Sequence, residues 1–168
     1  MPSFKPKQQM SSFDVAAACL ELDSQLRDCY IEKIYQTSPL ILLFKLNKPG
    51  LPQRQLLIEA GKRIHLTTYA ITKPFKPPAF CMELRKHLRN AKIQNIQQHQ
   101  FERIITLTTS TKEGNIQLTT ELFGDGNIIL VNPQGKILYA LTYKRMRDRN
   151  IIRGENYKYA PSSYKDAL

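Results

Sequence analysis

The sequence predicts an α+β domain, a mainly antiparallel β-sandwich or barrel flanked by two helices. Short β-branched or aliphatic runs outnumber helical patterns by about nine to two. Turn signals rich in Gly, Pro, Asn and Asp recur between those runs, which is the spacing of an all-antiparallel architecture. The chain has 168 residues with 42% hydrophobic content. A chain of that size buries roughly two thirds of the surface its unfolded form exposes, enough for one core and therefore one domain.

Residues 1–10 are polar, carry Lys5 and Lys7, and lack an apolar stretch, so they read as a disordered lead-in rather than a signal peptide. Ser11 or Ser12 can cap a helix with Asp14 in its first turn, followed by Val15, Ala18, Cys19, Leu22 and Leu26 at three- and four-residue spacing, ending near Asp28. Four strand runs follow, at 30–36, 40–46, 55–59 and 62–67, as an antiparallel meander. The proline-rich stretch 73–78 predicts an extended connector, and Pro78 suits a helix start. In that second helix Phe80, Cys81, Leu84 and Leu88 form an apolar stripe while Arg85, Lys86 and Arg89 crowd the other side. Five more strands are expected at 92–98, 103–109, 115–122, 127–131 and 136–141. Residues 143–168 lose apolar periodicity and become a basic-aromatic tail or loop, with 162–168 as a terminal tail.

A net charge of +11 and a pI near 9.7 predict a polyanionic partner bound through phosphate neutralisation and counterion release. No apolar run approaches the roughly 18 residues of a membrane span, so a membrane partner is not expected. Cys19, Cys29 and Cys81 match no zinc or disulfide spacing and read as small buried hydrophobes of a cytoplasmic protein. His65 is expected on a strand, His87 and His99 on solvated surfaces; none has the company a nucleophile or a metal needs. Gly124-Asp125-Gly126 lies between strands and reads as a hairpin turn, not a phosphate loop. Neither an enzyme activity, a cofactor nor a small-molecule substrate is expected. The positive signals are Arg85, Lys86 and Arg89, and the cations Lys144, Arg145, Arg147, Arg149 and Arg153 interleaved with Tyr143, Tyr157 and Tyr159. Arginine pairs with phosphate and stacks on bases, and tyrosine offers a stacking face, so RNA contact is predicted there.

Four stretches together resemble the NFACT-N domain. They are Ser12-Phe13-Asp14-Val15, the block from Pro77 to Leu88 reading PPAFCMELRKHL, Phe101-Glu102-Arg103-Ile104-Ile105, and Arg153-Gly154-Glu155-Asn156-Tyr157 with Pro161 beyond it. The match in order and spacing extends over residues 10–161 and sets the expected domain at 11–161. The resemblance implies a fold akin to the N-terminal domain of formamidopyrimidine-type DNA glycosylases. It also implies a role in ribosome quality control. Factors of this family bind large ribosomal subunits, with their rRNA, that still hold a stalled peptidyl-tRNA. They recruit charged tRNA, with alanine tRNA expected, for template-free C-terminal tailing of the nascent chain. Whole factors continue into a helix-hairpin-helix segment, coiled-coil arms and a further RNA-binding domain, so an excised domain is expected here.

By the same resemblance, an acid in the first helix and an acid-Arg pair before a strand serve tRNA binding and tailing. The matching positions are Asp14, Glu102 and Arg103, with Glu102 one methylene longer than the family's aspartate. A carboxylate can accept from a base edge or 2′-hydroxyl, or orient Arg103 toward phosphate. The plainer alternative is an ordinary Glu102–Arg103 surface pair. Two other functions compete. A glycosylase or AP-lyase would use the Pro2 amine, although Ser3 stands where those enzymes have glutamate. An adhesin-like module would bind fibronectin, as some bacterial relatives are described as doing.

Overall fold

The computed structural model describes residues 9–68 and 76–161. Pro2, the tail 162–168 and the first half of the expected connector 73–78 lie outside them. Helix α1 (Ser12–Leu26) starts in a reciprocal capping box: Ser11 Oγ accepts from the Asp14 N–H at 3.1 Å, and the Asp14 carboxylate accepts from the Ser11 N–H at 2.9 Å. Its stripe of Val15, Cys19, Leu22 and Leu26 is buried. The helix ends two residues before the expected Asp28, which takes a left-handed φ of 71°. Cations from the first meander satisfy the carbonyls this end exposes: Arg54 donates to Gln25 O at 3.1 Å and Lys48 to Arg27 O at 3.3 Å. Asp23, on the same helix, accepts the Ile96 N–H at 2.8 Å.

All nine expected strands form: β1 (Tyr30–Ser38), β2 (Ile41–Asn47), β3 (Arg54–Glu59), β4 (Arg63–Thr67), β5 (Lys92–Gln98), β6 (Ile104–Thr111), β7 (Gly114–Glu121), β8 (Asn127–Val131) and β9 (Ile137–Ala140). Helix α2 (Ala79–Leu88), with Pro78 as its N-cap, separates the two groups. The expected sandwich or barrel is built from a single main sheet. The nine strands are hydrogen-bonded into one antiparallel sheet in the order β4-β3-β2-β1-β5-β6-β7-β8-β9. The crossover through α2 returns the chain beside β1, where Tyr30 pairs with Lys92. The backbone bonds Asp28 N–H to Ile93 O and Ile93 N–H to Cys29 O, both 2.8 Å, and Ile31 N–H to Ala91 O at 2.9 Å extend the joint. Across this joint the sheet curls until its turns meet. Gly61 N–H donates to Glu121 O at 3.2 Å, and a Cβ on Gly126 would stand 2.0 Å from the Gly61 nitrogen, so only glycine fits there.

Both halves and both helices share one core. Ile31, Phe44 and Leu56 from the first half meet Ile93, Leu107, Leu118 and Leu130 from the second, with Leu26 and Leu84 from the helices. A second cluster, Ile129, Val131, Ile137, Ala140 and Ile151, occupies the outer face of the second half. Every residue of β8 is buried, because alternate side chains point into the two clusters. What covers the outer face is the C-terminal segment, including the two-residue ribbon strands β10 (Lys144–Arg145) and β11 (Asn150–Ile151). The expected basic-aromatic tail or loop is therefore, as far as Pro161, a packed strap, with Ile151 fully buried. The lead-in is likewise docked at its end: Met10 N–H donates to Lys62 O at 2.9 Å, and the Met10 side chain packs on the core.

Candidate functional site

Residues almost ninety positions apart in sequence meet where α1 begins. The β5–β6 turn is closed by the His99 N–H donating to Ile104 O at 2.9 Å and the Glu102 N–H donating to His99 O at 3.0 Å. Gln98 Nε2 ties this turn to the helix, donating to Ser12 O at 3.1 Å and to Glu102 O at 2.8 Å. The Phe13 and Phe101 rings meet edge to face at 4.8 Å. Asp14, Glu102 and Arg103 thus stand on two segments clamped together. Asp14 carries the capping box; among the described residues no carboxylate pairs with Arg103, so the plain Glu102–Arg103 pair does not form. Phe13, 76% exposed, is the residue sequence reasoning undervalued. The signal was an aromatic on the outward side of the Val15–Cys19–Leu22 stripe, where a buried position would be expected.

The strap crosses the same end of the sheet. Tyr159 stacks on His99 with ring centroids 3.4 Å apart and planes 5° from parallel, so His99 is partly covered. Arg145, Arg147 and Arg153 are exposed, and Arg153 lies over the Tyr139 ring at 4.2 Å. Arg149 and Tyr157, expected at the RNA surface, are instead turned inward onto Glu121. Arg149 grips Glu121 with both Nη atoms at 2.6 and 2.8 Å, and the Tyr157 hydroxyl donates to the same carboxylate at 2.8 Å. The two charged side chains are 6% and 4% exposed. Burial alone would lower the Arg149 pKa, but the Glu121 carboxylate outweighs it and holds the guanidinium charged. Burial, and then Glu121, push the Tyr157 hydroxyl far above the usual phenol range. A charge that deep is tolerated only with its partner in place. Glu121, which completes this triad, stands at the end of the mostly polar strand β7 and has no sequence signal that marks it as buried.

On α2, Arg85 is half-buried and its Nε donates to Ile34 O at 2.8 Å; Lys86 and Arg89 are exposed. His87 is a correction. Its side chain is only 11% exposed, between Glu83 and Glu113, because it sits over the β6–β7 turn rather than in solvent. His65 lies on β4 as expected. The three cysteines are buried and free, and burial pushes the Cys19 thiol up to about 12. Among the described residues no cluster of His, Cys, Asp or Glu could hold a metal, and no helix is long and apolar enough to cross a membrane.

Fold and surface define an α+β domain with one curled antiparallel sheet, two helices and, at both ends of its central strands, cations that pair with no carboxylate among the described residues. The family described as NFACT N-terminal and middle domains matches residues 11–167. The chain belongs to this family. It is 38% identical over 161 residues to the archaeal Rqc2 homolog aRqcH of Methanocaldococcus jannaschii, covering 92% of this chain and 24% of that protein. It is 30% identical over 138 residues to the human ribosome quality control complex subunit NEMF, covering 82% of this chain and 13% of that protein. The chain therefore spans about a quarter or less of these relatives. The N-terminal domain of the fibronectin-binding protein PavA from Streptococcus pneumoniae superposes with a TM-score of 0.83 at 30% identity, covering 90% of this chain and 62% of that one.

Proposed function

We propose that this domain is the tRNA- and large-subunit-binding module of a cytoplasmic ribosome quality control factor that recruits charged tRNA for alanine tailing of stalled chains. The observation that carries this reading is the clamped junction of Asp14, Glu102 and Arg103, three residues the family resemblance assigns to tRNA, beside an exposed Phe13. The arrangement suits an RNA loop: a phosphate on Arg103, a base or 2′-hydroxyl on a carboxylate, and a ring face on phenylalanine. Arg145, Arg147 and Arg153 on the strap add sequence-independent attraction. The names of the relatives from archaea and humans support the ribosomal role.

The test is tRNA binding by the 168-residue chain across salt. For about six phosphate contacts, affinity is expected to fall roughly a thousandfold between 50 and 200 mM salt. Arg103→Ala is expected to weaken tRNA binding while leaving the melting temperature unchanged. Loss of both together would make Arg103 a structural residue. A fibronectin-binding role, suggested by the name of the pneumococcal neighbour, predicts instead that immobilised fibronectin competes with tRNA for the chain.

A further inference from the structure

The cations of this protein fall into two kinds. Arg27 pairs with Asp23, Lys62 and Arg63 with Glu59, Lys92 with Asp28 and Arg149 with Glu121. Among the described residues no carboxylate pairs with Lys33, Arg85, Lys86 or Arg89, which lie together along α2 and β1. A solvated helix face normally draws acids to its bases at three- and four-residue spacing. Here the one acid so placed, Glu83, is turned to His87 at 4.0 Å.

These residues also form a shaped site. A cleft of about 240 Å³ is lined by Glu32, Lys33, Ile34, Tyr35, Arg85 and Arg89. Arg85 is fixed in it: Nε is held by Ile34 O at 2.8 Å and the guanidinium lies 5.6 Å from the Tyr35 ring centroid. Lys45 Nζ is 5.7 Å from the same centroid. With Nε occupied on the protein side, the two Nη groups are the part of the fork left for a ligand, and a guanidinium fork suits two oxygens of one phosphate. Glu32 is engaged by Gln53 Nε2 at 2.7 Å, so the lining's only acid has a partner of its own. A second cleft of about 280 Å³ shares Arg89 and adds Lys86 and Lys112, with its one acid, Glu113, set against His87 at 3.4 Å, and extends the cationic line along the helix. A line of charge matches a repeating anionic backbone better than a single carboxylate.

The position separates this line from the Arg103 junction. His87 on α2 contacts Glu113 in the β6–β7 turn, whereas Arg103 precedes the other end of β6. Eight residues of antiparallel strand span roughly 25 Å. We propose that the α2–β1 cleft is a second RNA-backbone site, distinct from the Arg103 junction, in which Arg85 takes a phosphodiester group and Lys33 and Arg89 neutralise its neighbours. This rests on the RNA-binding reading above and adds to it a second grip at the opposite end of the sheet.

The test titrates the 168-residue chain with a fluorescent, unstructured oligouridylate and, separately, with tRNA. The double variant Lys33→Glu/Arg89→Glu changes two exposed residues, so its melting temperature should match the parent's. Oligouridylate affinity is expected to fall at least about tenfold, and the log–log salt slope to shrink by about 1.4, two single-strand contacts. Arg85→Lys, which keeps the charge and loses the fork, should weaken binding several-fold. 4-Thiouridine crosslinks should map to α2 and β1. If the double variant binds as the parent does and crosslinks fall only near Arg103 or the strap, the second site is wrong and the RNA reading stands. If the parent binds neither RNA, both fall. If polyglutamate or inorganic phosphate displaces the oligouridylate at equal charge concentration, the cleft is a general anion site and its assignment to RNA is overturned.

Discussion

Arg149 and Arg85 are both arginines held against a tyrosine ring, Arg149 at 6.0 Å from Tyr157 and Arg85 at 5.6 Å from Tyr35. Arg149 has Glu121 beneath it and is sealed in; among the described residues Arg85 has no carboxylate, but the Ile34 carbonyl, the Cys81 thiol and the Tyr35 ring, and it lines a cleft. Both the strap and α2 are rich in basic residues, and the fold sets an arginine of each against a tyrosine, yet a single buried carboxylate divides them. In the strap it turns an arginine into a rivet that holds the segment over the outer face of the sheet. On α2, where among the described residues no such carboxylate pairs with Arg85, Lys86 or Arg89, the charge stays open to solvent and to a ligand.

That division is easiest to break from the strap side. Glu121→Ala leaves the Arg149 guanidinium buried and unpaired, which costs about 3–5 kcal/mol. A melting temperature lower by roughly 10 °C is expected, read by calorimetry; an unchanged value would mean the pair is not the rivet. Tyr157→Phe is milder, removing one hydrogen bond to a charged acceptor, about 1.5–3 kcal/mol. It also changes the alkaline limb. The folded hydroxyl titrates higher than the unfolded one, so its contribution is whole below about pH 10 and is lost as pH rises above it. Tyr157→Phe should therefore show a shallower alkaline loss of stability. Cys19, whose folded value is about 12 against an ordinary 9.0, adds a slope of the same sign from pH 9 upward in parent and variant alike. Smallest is Arg89→Ala, an exposed change expected to move stability by no more than about 0.5 kcal/mol. A large loss on unfolding by urea would place Arg89 among the structural cations and erase the contrast.

Much of the fold was legible in the sequence because its signals are local. The aliphatic and β-branched runs in 41–47 and 104–111, the Ser11–Asp14 cap and the Val15–Cys19–Leu22–Leu26 stripe each depend on near neighbours in the chain. The joining of the strands into one sheet was not legible, since the Tyr30–Lys92 pair and the Gly61–Gly126 approach unite positions about sixty residues apart. At the candidate site, Asp14, Glu102 and Arg103 were named by family resemblance rather than by pattern, and no spacing rule places them side by side. Lys33, Tyr35 and Lys45 were read only as strand residues, because a strand's outward positions are ordinarily polar.

By itself the sequence determined a basic α+β domain: its two helices, its nine strands, its buried thiols and an excess of cations that calls for a polyanion. Only the tertiary structure decided which cations are paired with a carboxylate and which stay exposed. Periodicity reports which face of an element is apolar, but whether an arginine is neutralised depends on a carboxylate that can lie 28 residues away, as Glu121 lies from Arg149. Coulombic pairing acts through space over a few ångströms, and the chain brings such groups together only on folding.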